Sequence, residues 1–279
     1  MIFDSHCHAW ETWPYEQVPD PASRGIVEQL LHQMDANGVD RAAIVCAQIK
    51  HNPENNAYIA AQTARFSDRL RQIADLDCEW SPTYHTPGAA RRLREMAARW
   101  KLAGFTHYLK QDEDAGWLNT EEGQAMFQAA ADLGLLASIA CAPHHHPAIR
   151  RVAAHFPQVP ILCHHLGLVH QGSGTHQENL KQVLGSASLP NIYLKVSGFA
   201  YPVEKKWEYP YRQAQEILRA EYEYYGPRRL CWGSDYPVVR YFMTYRQSIE
   251  VLRSHCDFIP GEEKEWILGK NLESLIPAS

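Results

Sequence analysis

Short apolar segments alternate with longer amphipathic segments along this sequence, and the alternation recurs eight times. Each short segment is rich in residues that favour β-strands, and each is followed by a stretch with helical periodicity, such as IVEQLLHQMDANGVD or EEGQAMFQAAADLG. The predicted strands cover residues 2–5, 42–48, 71–76, 104–109, 135–141, 160–165, 192–197 and 230–235. Alternating strands and helices form parallel sheets, and eight such units is the number that closes a (β/α)8 barrel.

We therefore expect a single α/β domain, a (β/α)8 TIM barrel that spans residues 1–279. Barrels of this kind commonly contain about 250 residues. An open doubly wound sheet is the alternative, but no predicted strand is followed by a phosphate-binding turn of the form GxGxxG or GxxxxGK(S/T). The aromatic stretch AYPVEKKWEYPYR, residues 200–212, is too long for a tight turn and is predicted to form a lid or binding loop.

Composition indicates a globular protein, and the net charge excludes little. The chain has 45% hydrophobic and 21% charged residues, which is typical of a globular protein, and its net charge of −5 does not favour nucleic-acid binding. Because no apolar run approaches the roughly 20 residues that span a bilayer, and no signal peptide is present, we expect a cytoplasmic protein without membrane contact. The seven cysteines never form a CxxC pair, so neither a disulfide framework nor a zinc knuckle is predicted. The sequence leaves a homo-oligomer open.

Polar residues end the first and the last predicted strand, on the face where barrel enzymes place their active sites. Asp4, His6 and His8 occupy alternate positions, so their side chains are expected to point to the same side of the strand. Asp235 follows the eighth strand and shares the parity of Cys231. A carboxylate at this position is a candidate metal ligand or general base.

The sixth predicted strand ends in the pair His164 and His165. His165 shares a face with Ile161 and Cys163, so it is the inward candidate provided that these two apolar residues line the barrel interior. His164 would then take the opposite face. Strand parity therefore selects His165 as the catalytic histidine of this strand.

Residues from three distant strands, His6, His8, His165 and Asp235, converge only if the sheet closes into a barrel. Together they can hold a divalent ion such as Zn²⁺ and leave one position open for water. An HxH pair alone arises often by chance among fifteen histidines, and a single histidine or aspartate is more often a packing or capping residue. Because all four lie at strand ends, we interpret them as one functional cluster.

Five segments resemble the amidohydrolase superfamily: DSHCHAW, CHHLG, NIYLKVSG, YGPRRLCWGSDYPV and ILGKNLESL. They are more specifically similar to the amidohydrolase-2 group, which contains sugar lactonases of the fuconolactonase and rhamnonolactonase types and the pyrone-dicarboxylate lactonases. The similarity runs in order over essentially the whole chain. The HxH pair and the GSDxP block are its most specific parts.

The resemblance implies a role for each of these residues. His6, His8 and Asp235 correspond to metal ligands, with His165 and His145 as further candidates, and Asp235 takes a proton from the attacking water with His165 as the second catalytic residue. The ion implied is zinc or manganese. Certain pyrone lactonases with this pattern work without metal, so a metal-free site is the alternative.

The substrate expected from the resemblance is a small molecule, a lactone or a carboxylic acid. Thr106 stands where lactonase relatives tend to carry arginine, which leaves His107 and Lys110 as replacements on strand four. Lys110 has a second interpretation, a carbamylated ligand that bridges two metal ions. The substrate-binding candidates are His107, Lys110, Lys195, Tyr236, Trp207 and Gln48, and the loop aromatics that can stack on a ring are Trp10, Trp13, Tyr84, Tyr201, Trp207, Tyr236 and Tyr241.

Lys195 on strand seven has the opposite parity to Ile192, Leu194 and Val196. The three aliphatic residues are expected to face the helices, so Lys195 and Ser197 are expected to face the barrel. A lysine in that position can hold a substrate carboxylate, or it can pair with a structural acid.

We therefore expect a hydrolase that opens a lactone or related cyclic ester through an Asp-activated, metal-bound water. The chain contains no GxSxG motif, so a serine acyl-enzyme is not indicated. A metal-dependent decarboxylase of an aromatic or unsaturated acid is the alternative within the same superfamily. A barrel that binds a small molecule without catalysis is the alternative from another class.

Overall fold

The computed structural model describes residues 1–12, 14 and 24–276. Eight parallel strands are paired in the order of the sequence: β1 Phe3–Cys7, β2 Arg41–Val45, β3 Leu70–Asp75, β4 Leu102–Tyr108, β5 Leu136–Ala140, β6 Ile161–Cys163, β7 Ile192–Val196 and β8 Leu230–Trp232. The residues after β8 return to β1, where the N–H of Asp235 donates to the carbonyl of His6 at 2.8 Å and the N–H of His8 to the carbonyl of Tyr236 at 2.7 Å. The predicted TIM barrel is confirmed.

Helices follow the strands around the outside of the barrel. They are α1 Val27–Asn37, α2 Asn55–Arg65, α3 Ala89–Arg99, α4 Glu121–Leu133, α5 His146–His155, α6 His176–Gly185, α7 Arg212–Tyr225, α8 Tyr245–His255, α9 Gly261–Glu265 and α10 Asn271–Leu275. The sequence signals of α4 show why such a segment is helical: the Thr120 hydroxyl accepts from the N–H of Gly123 at the start, and Gly134 ends the helix in the left-handed region at φ 64°. Among the described residues, no helix combines the length and the apolar character needed to cross a bilayer.

Two apolar layers stabilise the barrel. The larger layer lies between the strands and the surrounding helices, and the smaller one fills the barrel interior with side chains such as Phe3, Val45 and Leu162. Leu272 of α10 joins the inner layer, so the C-terminal helix packs against the end of the barrel opposite the active-site face. Each fully buried aliphatic side chain of this kind contributes about 1.5–3 kcal/mol.

The assignment of inner and outer residues on β6 differs from the prediction. Leu162 belongs to the inner layer, whereas Ile161 and Cys163 pack against the helices. The expectation that Ile161 and Cys163 line the interior is therefore wrong, and strand parity alone would direct His164 inward. His165 also reaches the inside because its backbone takes the left-handed conformation, with φ 48°, and turns the chain away from the strand direction.

Candidate active site

The ends of β1 and β8 place two imidazoles and one carboxylate in contact. The Nε2 atoms of His6 and His8 lie 3.1 Å apart. Asp235 Oδ1 lies 3.6 Å from Nε2 of His6 and 4.0 Å from Nε2 of His8. All three residues are buried, so their interactions are weakly screened by water.

An irregularity in β1 aims the two histidines into the barrel. The register between β1 and β2 shifts between Asp4 and Cys7, and this shift separates Asp4 from His6 and His8. Asp4 instead accepts hydrogen bonds from the Ser234 hydroxyl at 2.6 Å and the Tyr245 hydroxyl at 3.1 Å. The expectation that Asp4 points with the two histidines is wrong, because a bulge reverses side-chain alternation.

Gly233 gives His6 the space that it occupies. A Cβ atom at residue 233 would lie 2.7 Å from the Cβ of His6, closer than such atoms approach one another. The glycine of the GSD segment therefore lets the end of β8 come against the first histidine of the HxH pair. Asp235 follows two residues later with φ 58°, a left-handed conformation that is uncommon for a residue with a side chain.

Lys195 contacts this cluster through His6. Its Nζ lies 2.9 Å from Nδ1 of His6 and donates to the Ser138 hydroxyl at 2.7 Å. The side chain is fully buried, and this burial lowers the pKa of Lys195 to about 7. Lys195 faces the barrel, as its parity predicts, and it is the one described lysine with a buried side chain.

The hydrogen bonds of the two β1 histidines determine which ring atoms are available. Nδ1 of His8 lies 2.5 Å from the carbonyl of Val45. Because a carbonyl only accepts, His8 carries its proton on Nδ1 and presents the Nε2 lone pair to the cluster. Burial lowers the pKa of His8 to about 4, and burial together with the charge of Lys195 holds the pKa of His6 well below its usual range. Both rings are therefore neutral at neutral pH.

Asp235 is a strongly perturbed carboxyl group. Burial raises its pKa to about 7, although the hydroxyl of Tyr201 donates to Oδ2 and opposes that shift. Tyr201 belongs to the segment predicted as a lid or binding loop, so this loop contacts the cluster directly. A carboxyl group that titrates near neutral pH can accept a proton from water and return it.

Both histidines at the end of β6 contact the cluster. The rings of His164 and His165 lie 4.6 and 4.4 Å from the ring of His6. Nε2 of His164 lies 2.7 Å from the Ser138 hydroxyl, and Nδ1 of His165 lies 3.0 Å from the Ser197 hydroxyl. Sequence reasoning missed His164, and the signal that would have found it is the inward parity of Leu162 two residues earlier.

His145 lies outside the cluster, which corrects its assignment as a further metal-ligand candidate. Its Nδ1 accepts from the N–H of Ala142 at 3.0 Å, and its Nε2 donates to the carbonyl of Glu113 at 2.9 Å. Both ring nitrogens are thus used in holding the loop after β5. The geometry leaves no lone pair of His145 for an ion.

The two candidates on and after β4 also lie apart from the cluster. His107 faces the helices, with Nδ1 2.9 Å from the carbonyl of Leu76 and Nε2 3.3 Å from Nε2 of His85. Lys110 is exposed, and its Nζ lies 4.9 Å from the centre of the Tyr84 ring. Tyr108, at the parity opposite to His107, is the residue of β4 that approaches the cluster, 5.1 Å from His164 between ring centres.

Three further substrate-binding candidates have other surroundings. Tyr236 is buried in the outer apolar layer, with its ring 5.8 Å from that of Tyr245. Trp207 is 77% exposed, and Gln48 is half-buried with its N–H donating to Asp75 Oδ2 at 2.7 Å. Of the loop aromatics, Trp13 lies outside the described residues.

The donor set fits a divalent metal ion. The ligand atoms of His6, His8 and Asp235 all lie within 4.8 Å of one another, and two imidazoles with one carboxylate are donors that zinc prefers. The bond from His8 to the Val45 carbonyl is the outer contact that fixes a metal-binding tautomer. For His6 to offer Nε2 in the same way, its Nδ1 keeps the proton and donates it to a neutral Lys195 amine.

Comparisons with known proteins match the chain over almost its whole length. A sequence model described as amidohydrolase matches residues 3–275. L-fucono-1,5-lactonase of Burkholderia ambifaria is 24% identical over 96% of this chain and 92% of its own, and 4-sulfomuconolactone hydrolase of Hydrogenophaga intermedia is 24% identical over 94% and 84%. The crystal structure of an amidohydrolase from Burkholderia multivorans with bound zinc superposes with a TM-score of 0.75, at 19% identity, over 99% of this chain and all of that one.

Proposed function

The chain belongs to the amidohydrolase family, and on that premise we propose that it hydrolyses a lactone, with Asp235 as the base that activates water. One observation carries the proposal: a buried carboxyl group with a pKa of about 7 lies 3.6 Å from Nε2 of His6 at the active-site end of the barrel. Two relatives named as lactone hydrolases support the substrate class. In this proposal the whole chain, 1–279, acts as one domain.

Asp235 and the polar groups around it have different roles in the proposed reaction. Asp235 removes a proton from water, and the Tyr201 hydroxyl holds the carboxylate in position from the opposite side. Attack on the lactone carbonyl places negative charge on its oxygen. When no metal is bound, protonated Lys195 carries the positive charge nearest to His6, and His165 lies beside the same ring, so these two residues stabilise the negative charge on the oxygen or hold a substrate carboxylate.

A divalent ion held by His6, His8 and Asp235 would polarise the carbonyl and lower the pKa of water from about 16 to about 7. Zinc and manganese are the ions that we propose. The alternative is a site that works without metal and relies on the buried charge of Lys195. Activity after exhaustive chelation distinguishes the two versions, because only the second keeps its rate.

A panel of sugar lactones, muconolactones and pyrone carboxylates tests the proposal. Acid release is followed with a pH indicator, and release of CO₂ is followed in parallel. We expect acid release by the wild type, a rate about 10²- to 10⁴-fold lower in Asp235→Asn, and wild-type rates in Asp132→Asn, which changes an exposed carboxylate on α4 and serves as the matched control. CO₂ release would identify a decarboxylase instead. Tight ligand binding with neither product would identify a non-catalytic barrel.

A further inference from the structure

A second group of metal-ligating side chains lies on the other side of the barrel wall. Cys141 follows β5, Cys163 ends β6, and His146 begins α5. All three are fully buried, and their ligand atoms lie within 4.8 Å of one another. We propose that Cys141, Cys163 and His146 hold a structural Zn²⁺ ion.

Distances among the three residues suit tetrahedral coordination. With zinc–sulfur bonds of about 2.3 Å and a zinc–nitrogen bond of about 2.0 Å, a tetrahedral site places sulfur about 3.8 Å from sulfur and about 3.5 Å from nitrogen. Cys141 Sγ lies 3.9 Å from Nε2 of His146. The Cys163 sulfur lies within 4.8 Å of both other ligand atoms, so a contraction of at most about 1.3 Å completes the arrangement.

His146 is oriented in the way that metal-bound histidines are. Its Nδ1 lies 2.8 Å from the Ser186 hydroxyl, and this contact leaves Nε2 facing Cys141. A hydrogen bond to the ring nitrogen that is not coordinated fixes the ring angle and the tautomer. Ser186 is held in turn by Arg150, whose Nη1 donates to the same hydroxyl at 3.3 Å.

An unpartnered carboxyl group lies beside the cysteines. Glu221 of α7 is fully buried, and neither of its oxygens has a hydrogen-bond partner. Burial, and after it the nearby Cys163, holds the pKa of Glu221 well above its usual range. A buried carboxyl group without a partner is costly and rare in folded proteins. In the proposed site Glu221 supplies the fourth, oxygen ligand after a side-chain movement, since its oxygens lie outside the group of ligand atoms within 4.8 Å of one another.

The proposed zinc site is separate from the cluster of His6, His8 and Asp235. Cys141 and Cys163 belong to the layer between strands and helices, whereas His6 and Asp235 lie on the inner side of the wall. The three ligands and Glu221 come from β5, β6, α5 and α7. An ion there ties two strands to the helices that cover them, and because every ligand is closed off from solvent, the ion is taken up as the chain folds.

Cobalt substitution distinguishes this site from the catalytic cluster. The full-length protein is produced in cells grown in defined medium with Co²⁺ in place of Zn²⁺. We expect a thiolate-to-cobalt charge-transfer band in the near ultraviolet, which a site made of histidine and aspartate cannot give. The band should be lost in Cys141→Ser and in Cys163→Ser, and it should persist in Cys256→Ser, a matched buried cysteine at the end of α8.

A second measurement needs no variant and so does not depend on how the serine proteins fold. X-ray absorption of the wild-type protein grown with Zn²⁺ should show sulfur neighbours at about 2.3 Å from zinc. Zinc with only nitrogen and oxygen neighbours would overturn the proposal, as would cobalt-loaded protein without the charge-transfer band. A Cys141–Cys163 disulfide in peptides of the unreduced protein would also overturn it.

Discussion

Replacing Asp235 by asparagine should lower the rate of lactone hydrolysis steeply and, at the same time, stabilise the fold at alkaline pH. The Asp235 side chain is only 4% exposed, and burial raises its pKa from 3.8 to about 7. Because the folded-state value lies above the unfolded-state value, the folded protein keeps a proton that the unfolded chain loses. Ionisation of the buried carboxyl group therefore lowers the free energy of unfolding as the pH rises from about 4 to about 7, and this cost is absent below about pH 4.

A pKa difference of about three pH units corresponds to about 4 kcal/mol above pH 7. Asparagine does not carry this cost, but burying its amide offsets part of the gain. We expect the free energy of unfolding of the variant to exceed that of the wild type by about 1–3 kcal/mol at pH 8, and this difference to be about 2.5 kcal/mol smaller at pH 5. Urea unfolding of chelator-treated proteins at both pH values measures this difference, and lactone hydrolysis by the variant should fall about 10²- to 10⁴-fold.

Asp132→Asn is the control for this experiment. The Asp132 carboxylate is exposed, and Arg94 lowers its pKa, so it is ionised at both pH values. Asp132→Asn should therefore change the free energy of unfolding by the same amount at pH 5 and at pH 8. The expectation for Asp235→Asn would be contradicted if the difference in the free energy of unfolding between this variant and the wild type were equal at pH 5 and pH 8, or if the wild type were the more stable protein at pH 8. Burial would then not be raising the pKa of Asp235.

Three further substitutions test individual contacts of the cluster. Tyr201→Phe removes a hydrogen bond that favours ionised Asp235, worth about 1.5–3 kcal/mol, so the acidic limb of the pH profile of kcat/KM should move up by one to two pH units; an unmoved limb would exclude this contact from catalysis. Gly233→Ala forces a methyl group against His6. It should lower the free energy of unfolding, measured in urea, by about 1–3 kcal/mol and should also lower the rate of lactone hydrolysis. Wild-type values of both would contradict the close contact between residue 233 and His6. Lys195→Met keeps the chain length without the charge, so kcat/KM should fall about 10²-fold while stability stays equal or rises; parallel loss of both would make Lys195 a structural residue.

The sequence allowed the fold to be predicted because two periodicities dominate it. Strands with continuous apolar character and helices with an apolar face fix the order of elements, and predicted strands such as 192–197 lie close to the observed Ile192–Val196. The inward position of Lys195 followed from the same alternation. Parity is a local property, so it holds wherever a strand is regular.

The wrong predictions concern the directions of side chains on irregular backbone. The bulge in β1 and the left-handed residues His165 and Asp235 change where side chains point, and a sequence does not show which residues other than glycine adopt such conformations. The contact between Tyr201 and Asp235 joins two loops and has no local signal. His145 was misplaced for the same reason, since its partners lie on the backbone of two different loops.

The central claim is that Asp235 activates water and does not itself attack the substrate. A single turnover in H₂¹⁸O, with the enzyme in excess over the lactone that the panel identifies, tests it most directly. The account predicts that the first product molecule carries ¹⁸O in its new carboxylate and that Asp235 stays unlabelled. An unlabelled first product, with ¹⁸O found in the Asp235 peptide by mass spectrometry, would contradict it.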